Sequence, residues 1–287
     1  MNVGIIGAGA WGTALAIISA RGGSNVTLWS YDGEYKHFDN IDMPENIRIV
    51  RDMNEISECD AWLIVTPASF FRETLRDAIK FYNGQTIIVC TKGAESATGD
   101  FMSEIIAAEL PNVTDYGVLS GPQFAGEVAA GIPTGSTLAG TPHAIEIGSK
   151  ILNKLHINPS DDVVGAEICG VGKNAVALIC GYNSIAAKGE NERAMIFTLA
   201  WNEVMEIGIK CGAQVRTFLD LCGIGDLFLS ATSTTSRNFA GGMAIARGEQ
   251  PSGTVEGIFA LDGLIRRAEK IGVKTPVLIE MKQKMGL

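Results

Sequence analysis

The chain predicts an α/β protein: a doubly wound parallel sheet at the N-terminus followed by an all-α C-terminal domain. Three features carry that expectation. An apolar run at the start leads straight into a glycine-rich turn and a helix-compatible stretch. Strand-like and helical segments then alternate, the pattern of a parallel sheet covered on both faces. From about Val164 the strand signal ends, and long segments with the 3.6-residue period of helices take over. The domains expected are therefore 1–164 and 165–287.

The first element is the most explicit. Residues 1–6 read as a short buried strand, and Gly7, Gly9 and Gly12 follow it with G-x-G-x-x-G spacing, enclosing Ala10 and Trp11. Gly7 permits a tight turn, Gly9 lets the backbone approach a pyrophosphate, and Gly12 lets the next helix pack closely on the strand. The helix N-terminus offers unpaired N–H groups and the positive end of its dipole to phosphates. Glycine-rich turns are common on their own. Set between a strand and a helix, this one predicts a Rossmann-like domain that binds a dinucleotide. Further strands are expected at Asn25–Trp29, Ala61–Val65, Thr86–Cys90 and Tyr116–Ser120, with helices at Phe70–Phe81 and Phe101–Glu109. In the second domain Ala166–Ala187 and Arg193–Cys211 are the clearest helices. No repeat, low-complexity segment or flexible linker is visible.

Composition narrows the function. With 287 residues there is room for two domains of ~150 residues each. Hydrophobic residues make up 46% and charged residues 19%, enough apolar surface for a substantial core. A net charge of −9 and a pI near 4.9 argue against nucleic acid or an anionic membrane as partner, so positive charge for a phosphorylated ligand has to be local. Cys59, Cys90, Cys169, Cys180, Cys211 and Cys222 form no C-x-x-C pair and sit in apolar surroundings, which predicts reduced core thiols and a reducing cytosol. No signal peptide is expected, because the N-terminal apolar run breaks at once into glycines, and no uninterrupted apolar run reaches membrane-spanning length. His37, His143 and His156 are isolated, so no metal site is predicted.

Several residues stand out as chemistry-bearing. Asp32 lies 20 residues after Gly12, the interval at which an acidic side chain meets an adenosine ribose; it could equally cap a following helix. Open α/β sheets bind ligands at the carboxyl ends of their strands. Thr66-Pro67 and Thr91-Lys92-Gly93 fall there, and Lys92 is either a substrate-site cation or a solvated loop lysine. Lys173 is the only charged residue from Ile168 to Ala187, on a small-residue face with Ala166, Cys169, Gly170, Ala177, Cys180 and Ser184. Either it is held in a cleft, where burial beside another cation lowers its pKa, or it snorkels out near the helix start. Asp226, flanked by glycines in an apolar setting, suggests a carboxylate placed in a tight turn to orient a cation. Ser236, Arg237 and Asn238 offer hydroxyl, guanidinium and amide donors to a phosphate, although the same triplet reads as a helix cap.

Taken in order, Gly7–Leu15, Cys90–Gly93, Leu119–Val128, Gly172–Asn174, Gly223–Leu227, Ser236–Asn238 and Val255–Gly257 resemble the bacterial NAD(P)-dependent glycerol-3-phosphate dehydrogenase family across nearly the whole chain. The resemblance implies reversible NAD(P)H-dependent reduction of dihydroxyacetone phosphate to sn-glycerol 3-phosphate for phospholipid synthesis, by a cytoplasmic homodimer. It implies that Lys173 gives and takes the proton, with Lys92 beside the substrate carbonyl and Asp226 holding both lysines. It assigns Lys92, Gly121, Gln123, Asp226, Ser236, Arg237 and Asn238 to the substrate. Gly7, Gly9, Ala10, Trp11, Gly12, Tyr31, Pro67, Lys92, Ala125, Arg237 and Glu256 go to the cofactor.

The chain departs from the family at several points. Gln123 stands where a small hydroxyl residue usually follows Gly-Pro, and Phe239-Ala240 replaces two basic or aromatic positions. Tyr31 occupies a position where an arginine often favours NADPH. The segment after the second strand is abbreviated, and Leu287 comes before the family's last helices. The alternatives are a related reductase of a small keto or hydroxy acid, and a dinucleotide-binding module without activity.

Overall fold

A computed structural model describes residues 1–95 and 97–287. They form two compact units, Met1–Thr91 with Met102–Val163, and Lys92–Phe101 with Val164–Leu287. Lys92–Phe101 lies inside the first unit in sequence yet belongs to the second in space.

The first unit runs β1 (Asn2–Ile6), α1 (Ala10–Arg21), β2 (Asn25–Trp29), β3 (Ile47–Val50), β4 (Ala61–Ile64), α2 (Ala68–Ala78), β5 (Thr86–Val89), α3 (Met102–Glu109), β6 (Tyr116–Ser120), α4 (Ala125–Ala130), β7 (Gly135–Gly140), α5 (Pro142–Ile151) and β8 (His156–Ser160). Its strands make one sheet in the order β3-β2-β1-β4-β5-β6-β7-β8. All neighbours are parallel except β6 and β7, so the expected parallel sheet carries two reversed strands at one edge. β1 lies between β2 and β4, which makes its carboxyl end the point where the winding reverses and where such sheets take ligands. α1 buries Gly12 to Ala20 on the sheet, in one core with Val3, Ile5, Leu28, Leu63 and Ile88.

Three of these strands give weak sequence signals for physical reasons. β3 is four residues long with Arg48 in the middle, and Ser and Gly dilute the apolar content of β7. β8 contains Pro159, which is tolerated because an edge strand leaves one side of its backbone unpaired.

The second unit holds α6 (Val163–Ala186), α7 (Glu190–Lys210), α8 (Asp226–Thr232), α9 (Arg237–Ala246), α10 (Glu256–Ile271) and α11 (Pro276–Lys284). By length and hydropathy α6 could cross a membrane, but 78% of its most apolar window is buried inside the protein. The Lys92–Phe101 segment is closed by an Ala94–Phe101 bridge and held by the last turns of α10. There Arg266 donates to the Ala97 carbonyl at 2.7 Å, Arg267 sits 4.8 Å over the Phe101 ring, and Lys270 pairs with Asp100 at 3.4 Å. At the other side of the unit, Glu203 of α7 accepts from the Val277 and Leu278 N–H groups at the start of α11.

Candidate active site

In the first unit the glycine turn has the geometry a pyrophosphate needs. Gly7 has φ +116°, open to glycine alone in practice, and a Cβ on Gly12 would collide with the Gly7 carbonyl oxygen. A Cβ on Gly9 would meet nothing within 4 Å, so the space over that backbone is open. No side chain caps α1, which leaves its first N–H groups available. Two buried polar atoms beside the turn, Trp11 Nε1 and Thr66 Oγ1, have no partner among the described residues. These residues fit a bound dinucleotide, because open backbone, uncapped N–H groups and orphaned polar atoms converge on one strand end.

The other expected positions of this unit are spread along the same carboxyl edge. Ala10 is exposed at the start of α1, and Pro67 is exposed at the N-terminus of α2. Gly121 is packed so tightly that a Cβ would lie 2.7 Å from Ser136 Cα, and Ala125 begins α4. Gln123 buries both ends of its amide without a partner among the described residues, leaving one donor group and one acceptor unspent. Tyr31 is 85% exposed after β2. No helix follows Asp32, so it caps none; instead Oδ1 accepts from the Glu34 N–H at 2.9 Å and closes a local turn.

In the second unit the structure brings Lys92, Lys173 and Asp226 together. Leu221–Gly225 forms a π-helical turn kinked at Gly223, rather than the expected tight turn, and delivers Asp226 to the first position of α8, where its side chain is 1% exposed. Lys92 Nζ meets Oδ2 at 2.6 Å, and Lys173 Nζ lies 3.1 Å from Oδ1. Lys173 sits in the middle of α6 and does not snorkel: its ammonium donates to Ser230 Oγ at 3.0 Å. Ser230 in turn donates to Asp226 at 3.3 Å. Three formal charges therefore sum to one positive charge in a protected place, inside a chain of net charge −9.

The electrostatics follow from that arrangement. Burial pushes the Lys173 pKa below the ordinary lysine value; Asp226 opposes the shift and Lys92 adds to it. Burial alone would raise the Asp226 carboxyl, but the Lys173 and Lys92 ammoniums outweigh it and hold the pKa below the usual aspartate value. One ammonium N–H of Lys173 points to Ser230 and another to Asp226, which leaves one of three to donate elsewhere.

A second network adjoins the first through neighbours in sequence. Asn238 donates from Nδ2 to Asn174 Oδ1 at 2.7 Å and accepts from the Gly257 N–H at 2.8 Å. Asn174 Nδ2 reaches Glu256 Oε2 at 3.4 Å, at the N-terminus of α10. Ser236 caps α9, its Oγ accepting from the Phe239 N–H. Of the expected phosphate-binding triplet, Ser236 and Asn238 thus spend part of their capacity inside the fold. Of the three, only Arg237 is exposed, and its guanidinium has no partner among the described residues. Sequence reading missed Ser230 and Asn174. The usable signals were a hydroxyl one helical turn after Asp226 in an apolar segment and an amide directly beside the lone charge of α6.

Comparison with known proteins agrees with this geometry. Residues 2–146 match the NAD-dependent glycerol-3-phosphate dehydrogenase N-terminus and residues 162–284 match the C-terminus of the same family. A protein of Afipia carboxidovorans named glycerol-3-phosphate dehydrogenase [NAD(P)+] is 37% identical over 96% of this chain and 89% of its own length. One of the same name from Bradyrhizobium sp. (strain ORS 278) is 36% identical with the same coverage. The crystal structure of glycerol-3-phosphate dehydrogenase from Coxiella burnetii superposes with a TM-score of 0.90 at 28% identity, covering 99% of this chain and 94% of that one. The chain belongs to the NAD-dependent glycerol-3-phosphate dehydrogenase family.

Proposed function

From that membership we propose that the protein reversibly reduces dihydroxyacetone phosphate to sn-glycerol 3-phosphate, and that Lys173 moves the proton. The observation that carries this reading is one buried carboxylate, Asp226, shared by two lysines.

Reducing a ketone requires a hydride on carbon and a proton on oxygen. A nicotinamide dinucleotide held by the Gly7–Gly12 turn would supply the hydride. The protein supplies the rest. Asp226 and Ser230 fix two of the Lys173 N–H groups, so the third is the proton that the developing alkoxide takes. Its pKa, lowered by burial, eases transfer of that proton in both directions. Lys92, partly exposed and anchored on Asp226, adds positive charge where alkoxide charge develops. Arg237 takes the substrate phosphate. It is one residue from Asn238, whose bond to Asn174 ties the start of α9 beside Lys173. Fixing the phosphate at that distance spends binding energy on orienting the ketone.

Free cysteines throughout fit a cytoplasmic setting. Exposed Val215, Leu219, Ile224 and Phe228 offer apolar surface for a homodimer. The product is a backbone for glycerophospholipids. The deciding experiment follows NADH and NADPH oxidation with dihydroxyacetone phosphate, with a branched 2-keto acid, and with neither. Turnover confined to the phosphorylated ketone is expected; turnover on the keto acid instead would overturn the substrate assignment.

A further inference from the structure

Lys92 reaches the buried site from a short strap, residues 92–101, that belongs in space to the second unit. The strap is tied across its neck. Ala94 bridges Phe101, the Glu95 N–H donates to the Asp100 carbonyl at 2.9 Å, and the Gly99 N–H donates to the Glu95 carbonyl at 2.7 Å. Ala94 and Phe101 are both buried, and Ala94 is two residues from Lys92. One turn of α10 carries this strap. A Cβ on Gly263 would lie 3.5 Å from Ala94 Cβ, and a Cβ on Gly99 would lie 3.7 Å from the Gly263 carbonyl oxygen and from the Arg267 backbone nitrogen. Gly263 and Arg267 stand four residues apart on one helix face, so both sides of the strap rest on the same face of α10.

Among the three cations of α10 that meet the strap, Arg267 has the firmest hold. The Lys270–Asp100 pair is long, at 3.4 Å, and its lysine is exposed, a kind of pair that contributes little. Arg266 is exposed and reaches only the outer tip, at the Ala97 carbonyl. Arg267 is half-buried, with its guanidinium carbon 4.8 Å from the centre of the Phe101 ring and Nε 3.4 Å from Cys211 Sγ, just past the end of α7. A partly desolvated guanidinium on an aromatic face holds both groups in place. Lysine has a flexible four-carbon stem, so the 2.6 Å contact of Lys92 Nζ with Asp226 Oδ2 depends on where its backbone is set. We propose that Arg267 is a positioning residue: by gripping Phe101 it holds the strap on α10, and the strap holds the Lys92 ammonium on Asp226 beside Lys173. The proposal rests on the reading that Lys92 and Lys173 serve ketone reduction. Lys173 reports on the placement. The charges facing it are Asp226, Lys92 and Glu256; burial does most to lower its pKa, Lys92 adds to that, and Asp226 and Glu256 oppose it. A Lys92 that drifts away therefore lets the Lys173 pKa rise toward the ordinary lysine value.

The experiment measures kcat and KM for dihydroxyacetone phosphate across pH, at saturating NADH, in the wild type, Arg267→Ala, Arg267→Lys, Lys92→Met and the double variant Lys92→Met with Arg267→Ala. In Arg267→Ala kcat should fall by ~10–100-fold, the scale of a small misplacement caused from outside the chemistry. KM should stay within about threefold, because the charge being placed meets the developing alkoxide rather than the ketone. The pH at which reduction declines should move upward, and further upward in Lys92→Met. Arg267→Lys keeps a cation for the Phe101 ring and should recover part of the loss. With no ammonium left to place, Arg267→Ala in the Lys92→Met background should change kcat by less than about twofold. A merely structural role for Arg267 would act on both backgrounds alike and leave the pH dependence where it was. Equal fractional losses in the two backgrounds, or an unmoved pH dependence, would therefore overturn the proposal. So would a slowed Lys92→Met beside an unaffected Arg267→Ala, with the reading of Lys92 left standing. A Lys92→Met variant as fast as the wild type would overturn both.

Discussion

The glycine turn of the first unit and the lysine site of the second represent two ways of storing chemistry in a chain. The turn is made of backbone. Gly7, Gly9 and Gly12 fall within six consecutive positions, and what matters is the atom each lacks. The lysine site is made of side chains from elements far apart in sequence: Lys92 after β5, Lys173 on α6, Asp226 and Ser230 on α8. A backbone site tolerates no added atom, and a side-chain site tolerates no missing charge. Substitutions at the two should therefore fail differently, one in cofactor affinity and the other in turnover.

The largest effect is expected at Lys173. Lys173→Met keeps much of the stem volume and removes the ammonium, and turnover with dihydroxyacetone phosphate should fall by a factor on the order of 10²–10⁴. NADH affinity should stay within about twofold, since the turn is built independently. The pH dependence has a definite sign. Reduction needs the protonated lysine and oxidation the neutral one, so reduction should decline and oxidation rise as pH passes the Lys173 pKa, below the ordinary lysine value. Near-normal kcat in Lys173→Met would transfer the proton role to Lys92.

Gly12→Ala attacks the other region. The added Cβ must push the Gly7 carbonyl aside, distorting the turn that meets the pyrophosphate. NADH binding should weaken by at least roughly tenfold, the cost of about 1.4 kcal/mol of lost contact or strain. If instead the variant bound NADH normally and lost turnover, the division between a backbone site and a side-chain site would collapse.

Arg237→Ala is intermediate. It should raise the KM for dihydroxyacetone phosphate by ~10-fold or more, from losing a charge-assisted contact of ~1.5–3 kcal/mol, while scarcely changing turnover of unphosphorylated dihydroxyacetone. Equal loss on both ketones would show that Arg237 does not read the phosphate.

The same contrast explains what could be read from the sequence. The turn was legible because its geometry is local: the spacing of three glycines between a strand and a helix specifies it. Lys173 was legible as a lone charge in an apolar helix, and Asp226 by its flanking glycines. Their partnership was legible only through family resemblance, since no periodicity links residues 92, 173 and 226. Ser230 and Asn174 stayed hidden because one hydroxyl and one amide within helices look like any others until their partners are known. The fold followed the same rule. Apolar strands such as Ala61–Ile64 announced themselves, whereas Gly135–Gly140 and His156–Ser160 are strands only because a neighbouring strand pairs with them.

The smallest effect sharpens the comparison within one unit, between two buried carboxylates. Asp226 faces two cations and its pKa is lowered; Glu203 accepts from the Val277 and Leu278 N–H groups, and burial, with the nearby Glu206 charge adding to it, raises its pKa despite them. Glu203→Ala leaves two N–H groups at the start of α11 without acceptors, costing about 1–2 kcal/mol as lost helix caps do. In a protein of this size that is a Tm decrease of a few degrees, with kcat and NADH affinity unchanged. The pH dependence separates the pair. A carboxyl with a raised folded pKa binds its proton more tightly in the native state, so its contribution to stability falls as pH rises from the ordinary glutamate value through the folded one. The contribution of Asp226, with a lowered pKa, is present above the ordinary aspartate value and disappears as pH falls through the folded one. Urea unfolding should therefore show a smaller penalty for Glu203→Ala at pH 8 than at pH 5. A penalty that grew over this range would mean that Glu203 is stabilised as an anion, by a cation that the present partners do not include.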